Sequence, residues 1–445
     1  MSDGRDNDPR GSHESRRDKR RALANEHRLV ALGEAVDRRG GVTRKTRQKR
    51  PHHLRRNLII TSIVIAGLIV GLLGGGYLYA NWRFSQITKI NVTSELPQLT
   101  GKPFNILEVG SDSRAGLTGA VASQTGASSG SVSGQRSDVV KVMHVDPQTG
   151  TISILSIPRD TMTTLLANQS LYGKFNRINV NFNNGPSLLA QTITANFGIT
   201  ITHTIVVSFS GLINAAVALG GVYLDFPYPA KDAYSGLKIT HAGCQLVNGF
   251  EALAVARSRH YEWFENGVWN FDVTSDFGRI DRQNAFLRSM IDRAKRLYNP
   301  LTINNFLSKI PQGISLDSNF TLTELIELAV KFHNLNPANM LTYTLPTVSG
   351  QNASLGDVLY VQEPEAQQML VNVFGSTLVT PTNPPPNTAL QTPLPPVVTT
   401  TTSTTTTTIV STSAKKHTKT TVVPTTTTTA PTEGQQFFDP VPCNP

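Results

Sequence analysis

Hydrophobic positions along this chain fall into three regimes. From Leu58 to Ala80 no charged residue occurs. These 23 residues, at about 1.5 Å of helix each, reach roughly 35 Å, enough to cross a hydrocarbon layer of about 30 Å with some tilt. Tyr77, Tyr79 and Trp82 stand at the far end, where an aromatic belt belongs. A cleaved signal peptide fits less well, because a long tail precedes the run, the run exceeds a signal h-region and no clear small-residue cleavage site follows. Lys and Arg cluster on the N-terminal side, so the positive-inside rule predicts a single-pass type II protein with residues 1–56 in the cytoplasm and the rest extracellular.

Between about Pro103 and Gly375 the pattern alternates. Phe104 to Val109 predicts a strand that runs into Gly110-Ser111-Asp112-Ser113-Arg114. A Ser/Gly/Ala-rich loop follows from Thr118 to Gly134, long enough to move or to act as a lid. Val139 to Val145 and Thr151 to Ile157, joined through Asp146-Pro147-Gln148-Thr149-Gly150, predict a hairpin. Pro158 ends its second strand and leaves Arg159 and Asp160 on a loop. Helical periodicity covers 185–197, 209–219, 248–256 and 282–298, and 205–207 and 222–226 suit further strands. Strands alternating with helices, plus one hairpin, predict an α/β protein: a layered α/β/α domain with a central mixed sheet, preceded by one transmembrane helix.

Composition sharpens the ends. The formal charge is +10, and residues 1–56 hold 17 Lys and Arg against 8 Asp and Glu, leaving 24 against 23 for everything after. The basicity therefore belongs to the tail, and no nucleic acid is expected at the main domain, although the tail alone could touch nucleic acid or anionic lipid. The C-terminal end carries Pro384-Pro385-Pro386, Pro395-Pro396 and threonine-rich runs at 399–408 and 425–429. Such a stretch builds no core, and it suits an extended stalk open to O-glycosylation or a disordered tail of no specific role. Two cysteines, Cys244 and Cys443, imply no disulfide framework, and whether they pair is left open. The expected division is a basic disordered cytoplasmic tail (1–56), a signal-anchor helix (57–82), a juxtamembrane linker (83–102), the catalytic domain (103–375) and a Pro/Thr-rich disordered tail (376–445).

Charged residues of the domain gather at strand and loop ends. Asp112 and Arg114 follow one strand, Arg136 and Asp138 precede the next, and Arg159 and Asp160 end the third. Side by side, these would project from one sheet edge, where α/β folds place ligands. Two carboxylates, Asp112 and Asp138, could hold a divalent cation with its waters. For any single pair an ordinary Arg–Asp ion pair is the simpler account. The octet Asp276-Phe277-Gly278-Arg279-Ile280-Asp281-Arg282-Gln283 fits either a helix start with local ion pairs or a phosphate site built from cations, backbone N–H groups and the helix dipole. If Arg136, Arg159, Arg257, Arg259, Arg279 and Arg282 converge, their mutual repulsion calls for a polyanion, and a pyrophosphate fits.

Taken in order, Gly110-Ser111-Asp112-Ser113-Arg114, Arg136-Ser137-Asp138, Ser156-Ile157-Pro158-Arg159-Asp160, Arg257-Ser258-Arg259 and Asp276-Phe277-Gly278-Arg279 with Arg282-Gln283 resemble the LytR-CpsA-Psr family over about residues 103–300. The resemblance implies a membrane-anchored extracellular phosphotransferase. Such an enzyme moves a glycopolymer phosphate from a polyprenyl-diphosphate carrier onto peptidoglycan, the polymer being arabinogalactan or teichoic-acid-like; the arginine-rich composition and Thr/Pro stalk lean toward an actinobacterial wall, hence arabinogalactan. It further implies that Asp112 and Asp138 bind Mg2+ (or Mn2+), that Arg136, Arg257, Arg259, Arg282 and Gln283 contact the diphosphate, and that Asp276, Arg279 and Arg159 stand closest to chemistry. Asp276 or Asp160 is the candidate for taking the acceptor proton. The family pattern is departed from at Glu108, which interrupts an apolar strand, and at the 118–134 insertion. Phe182, Leu188, Leu189, Phe197, Phe209 and Leu212 are candidates for an apolar lipid tunnel, and helical spacing fits plain core equally. A polyprenyl-pyrophosphatase on the same site and a membrane-tethered regulatory or wall-binding protein are the alternatives.

Overall fold

The computed structural model describes residues 16–40, 52–92, 101–113, 117, 137–296, 300–309, 311–386 and 436–444. The loop expected at 118–134, together with Arg114 and Arg136, lies outside the described residues. The chain divides into two compact units, Met1–Gly76 and Tyr77–Pro445. In the first, Arg16–Gly40 is a 25-residue helix, which corrects the expectation of a disordered tail for that stretch. The run from Ala22 to Val36 is rich in Ala and Leu and contains no proline, so helix propagates through it. A second helix, His52–Phe84, follows, and its 29-residue segment Arg56–Phe84 is long and apolar enough to cross a membrane.

The last turns of that helix belong to the second unit and lead straight into it. Phe84 and Ile87 are buried with Leu316, Phe320 and Leu322, and Thr88–Ile90 pairs in parallel with Ile314–Asp317. Residues 83–92 are therefore structure rather than linker, because Phe84 and Ile87 have a core to enter and Thr88–Ile90 a sheet edge to join.

The central sheet has seven strands in the order Thr88–Ile90, Ile314–Asp317, His203–Val207, Phe104–Ser111, Ser137–Asp146, Thr151–Ser156, Leu341–Thr344. Parallel and antiparallel neighbours both occur, as the mixed pattern predicts. Side chains alternate across it. Leu107, Val109, Val140 and Val142 meet Leu189, Ile193, Phe197 and Phe374 on one face. The other face carries Phe104, Ile106 and Val145 and the cross-strand partners Glu108 and Lys141. Helix Asp276–Ala294 covers this second face through Asn284, whose Oδ1 accepts from Lys141 Nζ. Against the same helix a second core forms from Val222, Leu224, Phe226, Tyr261, Trp263 and Phe286.

The C-terminal residues return to that second core. Phe438 stacks on Trp263 with ring centroids 3.8 Å apart and planes 8° from parallel. Val441–Pro442 adds to strand Val222–Phe226, and Cys443 is disulfide-bonded to Cys244 across 199 residues of sequence. Residues 376–386 are also docked, with Val379 N–H donating to Gly198 O and Asn383 N–H to Ala195 O. The expectation of a disordered tail over 376–445 is corrected for these two stretches. Phe437 and Phe438 supply the apolar surface that the threonine runs lack.

Beneath helix Asp276–Ala294 lies an enclosed ionic cluster. Arg282 Nη1 donates to Asp272 Oδ2 at 2.9 Å and to Asp439 Oδ1 at 2.6 Å, with all three side chains fully buried. Gly278 makes this possible, since a Cβ there would stand 2.2 Å from Asp272 Oδ2. Asp281 is adjacent, and its carboxyl is pushed up to about 7, first by burial and then by the charge of Asp439. Burial likewise raises Asp439 to about 6 despite Arg282.

Two outcomes are expected. Cys443→Ser in the full chain should lower the unfolding free energy by about 2–5 kcal/mol, read as a fall in the thermal midpoint under non-reducing conditions; an unchanged midpoint would contradict the clasp. Because the folded pKa of Asp281 is raised, its contribution is fully present below about pH 4 and is lost as pH rises through about 7. Asp281→Asn should therefore be more stable than wild type at pH 8 by on the order of 2 kcal/mol, with the difference shrinking toward pH 5; a pH-independent difference would contradict this.

Candidate active site

Three local features bring the charged motifs to one edge of the sheet. The strand Phe104–Ser111 breaks register at Gly110/Ser111, and Ser111 pairs with Ser137, so Asp112 and Asp138 issue from adjacent strand ends. Pro158 lacks an N–H and ends the strand Thr151–Ser156, which places Arg159 beside Asp138. Helix Gly249–Arg257 is started by a capping box between Asn248 and Glu251, and its last residue, Arg257, lies over the Phe209 ring at 5.3 Å.

The charges form a ladder of alternating sign. Arg159 Nη1 donates to Asp138 Oδ1 at 2.7 Å. Arg279 Nη2 donates to the Asp138 carbonyl at 2.9 Å and reaches Asp276 Oδ1 at 3.0 Å. Asp276 Oδ1 also accepts from Arg259, through Nε at 2.8 Å and Nη2 at 2.7 Å. Asp160 stands aside, 3.4 Å from Arg159 Nε and 3.3 Å from Arg177 Nε. Burial lowers the pKa of Arg279, opposed by Asp276 and Asp138, yet guanidinium stays charged over the working range. For Arg159 burial works the same way, but Asp138 and Asp160 outweigh it and raise the pKa.

Behind the ladder opens a cavity of about 210 Å³. Its polar end is Asp138, Arg257, Arg259, Arg279 and Gln283, and its apolar wall is Phe209, Leu212, Leu253, Phe286, Leu287 and Met290. Of the six residues predicted for a lipid tunnel, Phe209 and Leu212 line this cavity, whereas Phe182, Leu189 and Phe197 sit in the core on the sheet's opposite face. Gln283 Nε2 donates to Ala256 O at 2.8 Å. Its Oε1, the Ser137 hydroxyl and Arg279 Nε are buried without a hydrogen-bond partner among the described residues. Buried polar atoms are rarely left so, and two of the three belong to residues that line the cavity, Gln283 and Arg279.

The structure thus gathers Asp138, Arg159, Arg257, Arg259, Asp276, Arg279 and Gln283, with Asp112 at the neighbouring strand end. Arg136 lies outside the described residues. Arg282 is not brought there: expected at the diphosphate, it is enclosed by Asp272, Asp439 and the Ser258 carbonyl instead. Lys141 was not foreseen. It lines the cavity opposite Glu108, and burial pulls its pKa down to about 8, with Glu108 and Asp281 opposing. Burial raises Glu108 in turn, partly offset by Lys141. The one signal in the sequence was a charge set among apolar neighbours in each of two strands, Glu108 and Lys141, whose pairing no local pattern reveals.

Among the described residues no group of three or more His, Cys, Asp and Glu side chains could hold a metal ion. Magnesium makes a smaller demand, since one or two carboxylates with waters and substrate phosphate suffice. Asp112 and Asp138 fit that demand in number and in hard oxygen chemistry.

The sequence matches the LytR_cpsA_psr family over residues 81–373. It is 29% identical over 314 residues to the probable cell wall biosynthesis protein LcpB of Corynebacterium glutamicum, covering 68% of this chain and 70% of that protein. It is 27% identical over 330 residues to the polyisoprenyl-teichoic acid–peptidoglycan teichoic acid transferase TagV of Bacillus subtilis, covering 71% and 76%. The solved structure of a LytR-Csp2A-Psr enzyme from Actinomyces oris shares the fold, with a TM-score of 0.51 at 20% identity over 67% of this chain and 99% of that one. The family match spans the sheet, the arginine ladder and the cavity, and the chain belongs to the LytR-CpsA-Psr family.

Proposed function

We propose that this protein transfers a phospho-glycopolymer from a polyprenyl-diphosphate carrier to a peptidoglycan hydroxyl during cell-wall assembly, at a domain held outside the cell by its single membrane helix. The observation that carries this reading is the arginine ladder at the mouth of an apolar cavity. Cations at one end and Phe209, Leu212, Phe286 and Met290 at the other match a diphosphate joined to a hydrocarbon. TagV is named a polyisoprenyl-teichoic acid–peptidoglycan teichoic acid transferase and LcpB a probable cell wall biosynthesis protein, which supports this class of chemistry, and the apolar helix Arg56–Phe84 supports membrane attachment.

Arg257, Arg259 and Gln283 would hold the diphosphate, with Arg159 and Arg279 beside the phosphorus that is attacked. The acceptor hydroxyl oxygen bonds to the phosphorus carrying the glycan, the bond from that phosphorus to the bridging oxygen breaks, and polyprenyl monophosphate leaves with the electron pair. Preorganised guanidinium groups stabilise charge on the phosphoryl oxygens and the leaving phosphate without having to reorient. Asp276 is engaged by Arg259 and Arg279, so its first task is to hold both in place. Asp160, with longer contacts to its arginines, is the freer carboxylate to accept the acceptor's proton. Asp112 and Asp138 would hold magnesium or manganese, which when bound offers Lewis-acid neutralisation of phosphate charge.

In a transfer assay with the full chain, labelled lipid-linked donor and nascent peptidoglycan, Arg279→Ala should lower kcat/KM by about 10² to 10³, and Asp138→Ala should respond likewise and lose its dependence on added magnesium. Wild-type rates in either variant would refute the site. Release of phosphate without labelled peptidoglycan would identify a pyrophosphatase instead.

A further inference from the structure

The small four-stranded sheet beside the site is aromatic on both faces. Its strands run in the order Leu237–Ile239, Ala230–Asp232, Glu262–Glu265, Val268–Phe271. In strand Glu262–Glu265, Trp263 turns inward under Phe438. Phe264 points the other way, opposite Trp269, and Glu262 stands opposite Phe271. A sheet with one face on a core ordinarily shows polar residues on the other. Here Trp269 and Phe271 are 45% and 50% exposed, and Tyr234, in the turn after Asp232, is 74% exposed. Nothing in the core requires these rings.

The exposed rings are ordered. Tyr234 lies against His260 with centroids 4.3 Å apart, His260 is 6.4 Å from Phe271, and Phe264 is 5.3 Å from Trp269. Lys231 Nζ sits 3.9 Å over the Trp269 ring and 3.1 Å from Glu262. The buried carboxylate of Asp232 fastens this surface to the site. It accepts from the backbone N–H groups of Tyr234 and Ser235 on one side, and from Ser258 Oγ and the N–H groups of Arg259 and His260 on the other. The residue that positions Tyr234 and His260 thus also positions Arg259, which holds Asp276.

We propose that this outer face is a saccharide platform that seats a glycan strand of peptidoglycan, so that the strand enters from the Arg259–Asp276 side and presents one of its hydroxyls to the phosphorus held beside Arg279 and Arg159. The inference rests on the transferase reading and adds the acceptor's contact surface to it. Flat, rigid rings offer apolar area to the C–H faces of pyranose rings at little entropic cost, and Lys231 and Glu262 between them match sugar hydroxyls. The surface is an open face rather than a pocket. A strand modified at an internal hydroxyl needs room to continue in both directions, which a pocket denies. A lipid surface fits less well, because the charged groups of Lys231 and Glu262 lie among the rings and would be stripped of water on insertion.

The test uses the full chain in detergent micelles and purified peptidoglycan sacculi freed of attached glycopolymer, with binding read by co-sedimentation. The double variant Tyr234→Ala/Phe271→Ala should bind sacculi about tenfold more weakly than wild type. Its affinity for farnesyl diphosphate and its thermal midpoint should be unchanged, since both rings are exposed. Trp269→Ala should weaken sacculus binding in the same direction. Binding within twofold of wild type would overturn the platform, as would an equal loss of binding to liposomes that contain no glycan. Ring-dependent sacculus binding by a protein that transfers nothing to peptidoglycan would support the platform and remove the transferase reading. Normal transfer with an unchanged KM for peptidoglycan in the double variant would remove the platform alone.

Discussion

Asp276 is the point through which the site is assembled. Guanidinium groups do not gather unaided, because like charges at close range in a partly buried setting repel by several kcal/mol. Here Asp276 bonds Arg259 and Arg279, Arg279 reaches the Asp138 carbonyl, and the Asp138 carboxylate bonds Arg159. Four segments distant in sequence meet in this ladder. Its inner wall is the buried Glu108–Lys141 pair, and its outer neighbour is the turn fixed by Asp232. What the ladder leaves unfilled is as informative as what it fills, since Gln283 Oε1 and Arg279 Nε are buried beside the cavity and lack partners among the described residues.

The helix that supplies Asp276, Arg279 and Gln283 is itself held from below. Arg282 is fixed by Asp272 on the approach to the helix and by Asp439 from the C-terminal segment. Arg279 and Arg282, three residues apart, thus divide their work: one faces the cavity and the other anchors the helix. Breaking a buried pair on one side leaves an uncompensated charge, which costs about 3–5 kcal/mol. The disulfide Cys244–Cys443 and the Phe438–Trp263 stack keep Asp439 in reach of Arg282. The C-terminal half of this clasp, Phe438, Asp439 and Cys443, lies beyond the family match, which ends at residue 373.

Much of the fold was legible because its signals are local. An uncharged run from 58 to 80, a hairpin around a Pro-Gly turn and helices with apolar stripes all declare themselves within about two dozen residues. The order of the arginine motifs was legible too. Depth was not. Nothing within the octet separates Arg279 from Arg282, because the distinction depends on Asp439, 157 residues away. Lys141 was missed because its meaning depends on strand pairing with Glu108. The four strands of the aromatic sheet are three or four residues long, too short for alternation to register, although Asn266-Gly267 between two aromatic runs was a hairpin signal. Phe437 and Phe438 after the threonine runs marked a return to apolar chemistry that composition alone did not convert into a docking site.

The account turns on this division of labour between cations that meet a ligand and a cation that holds the helix. It is tested most directly by measuring farnesyl diphosphate affinity by calorimetry alongside the thermal midpoint, in full-chain Arg259→Ala and Arg282→Met. The account predicts that Arg259→Ala loses roughly 1.5–3 kcal/mol of diphosphate binding while keeping its midpoint, and that Arg282→Met lowers the midpoint while the protein that remains folded still binds. Full diphosphate affinity in Arg259→Ala, or an Arg282→Met protein with an unchanged midpoint and no binding, would contradict it.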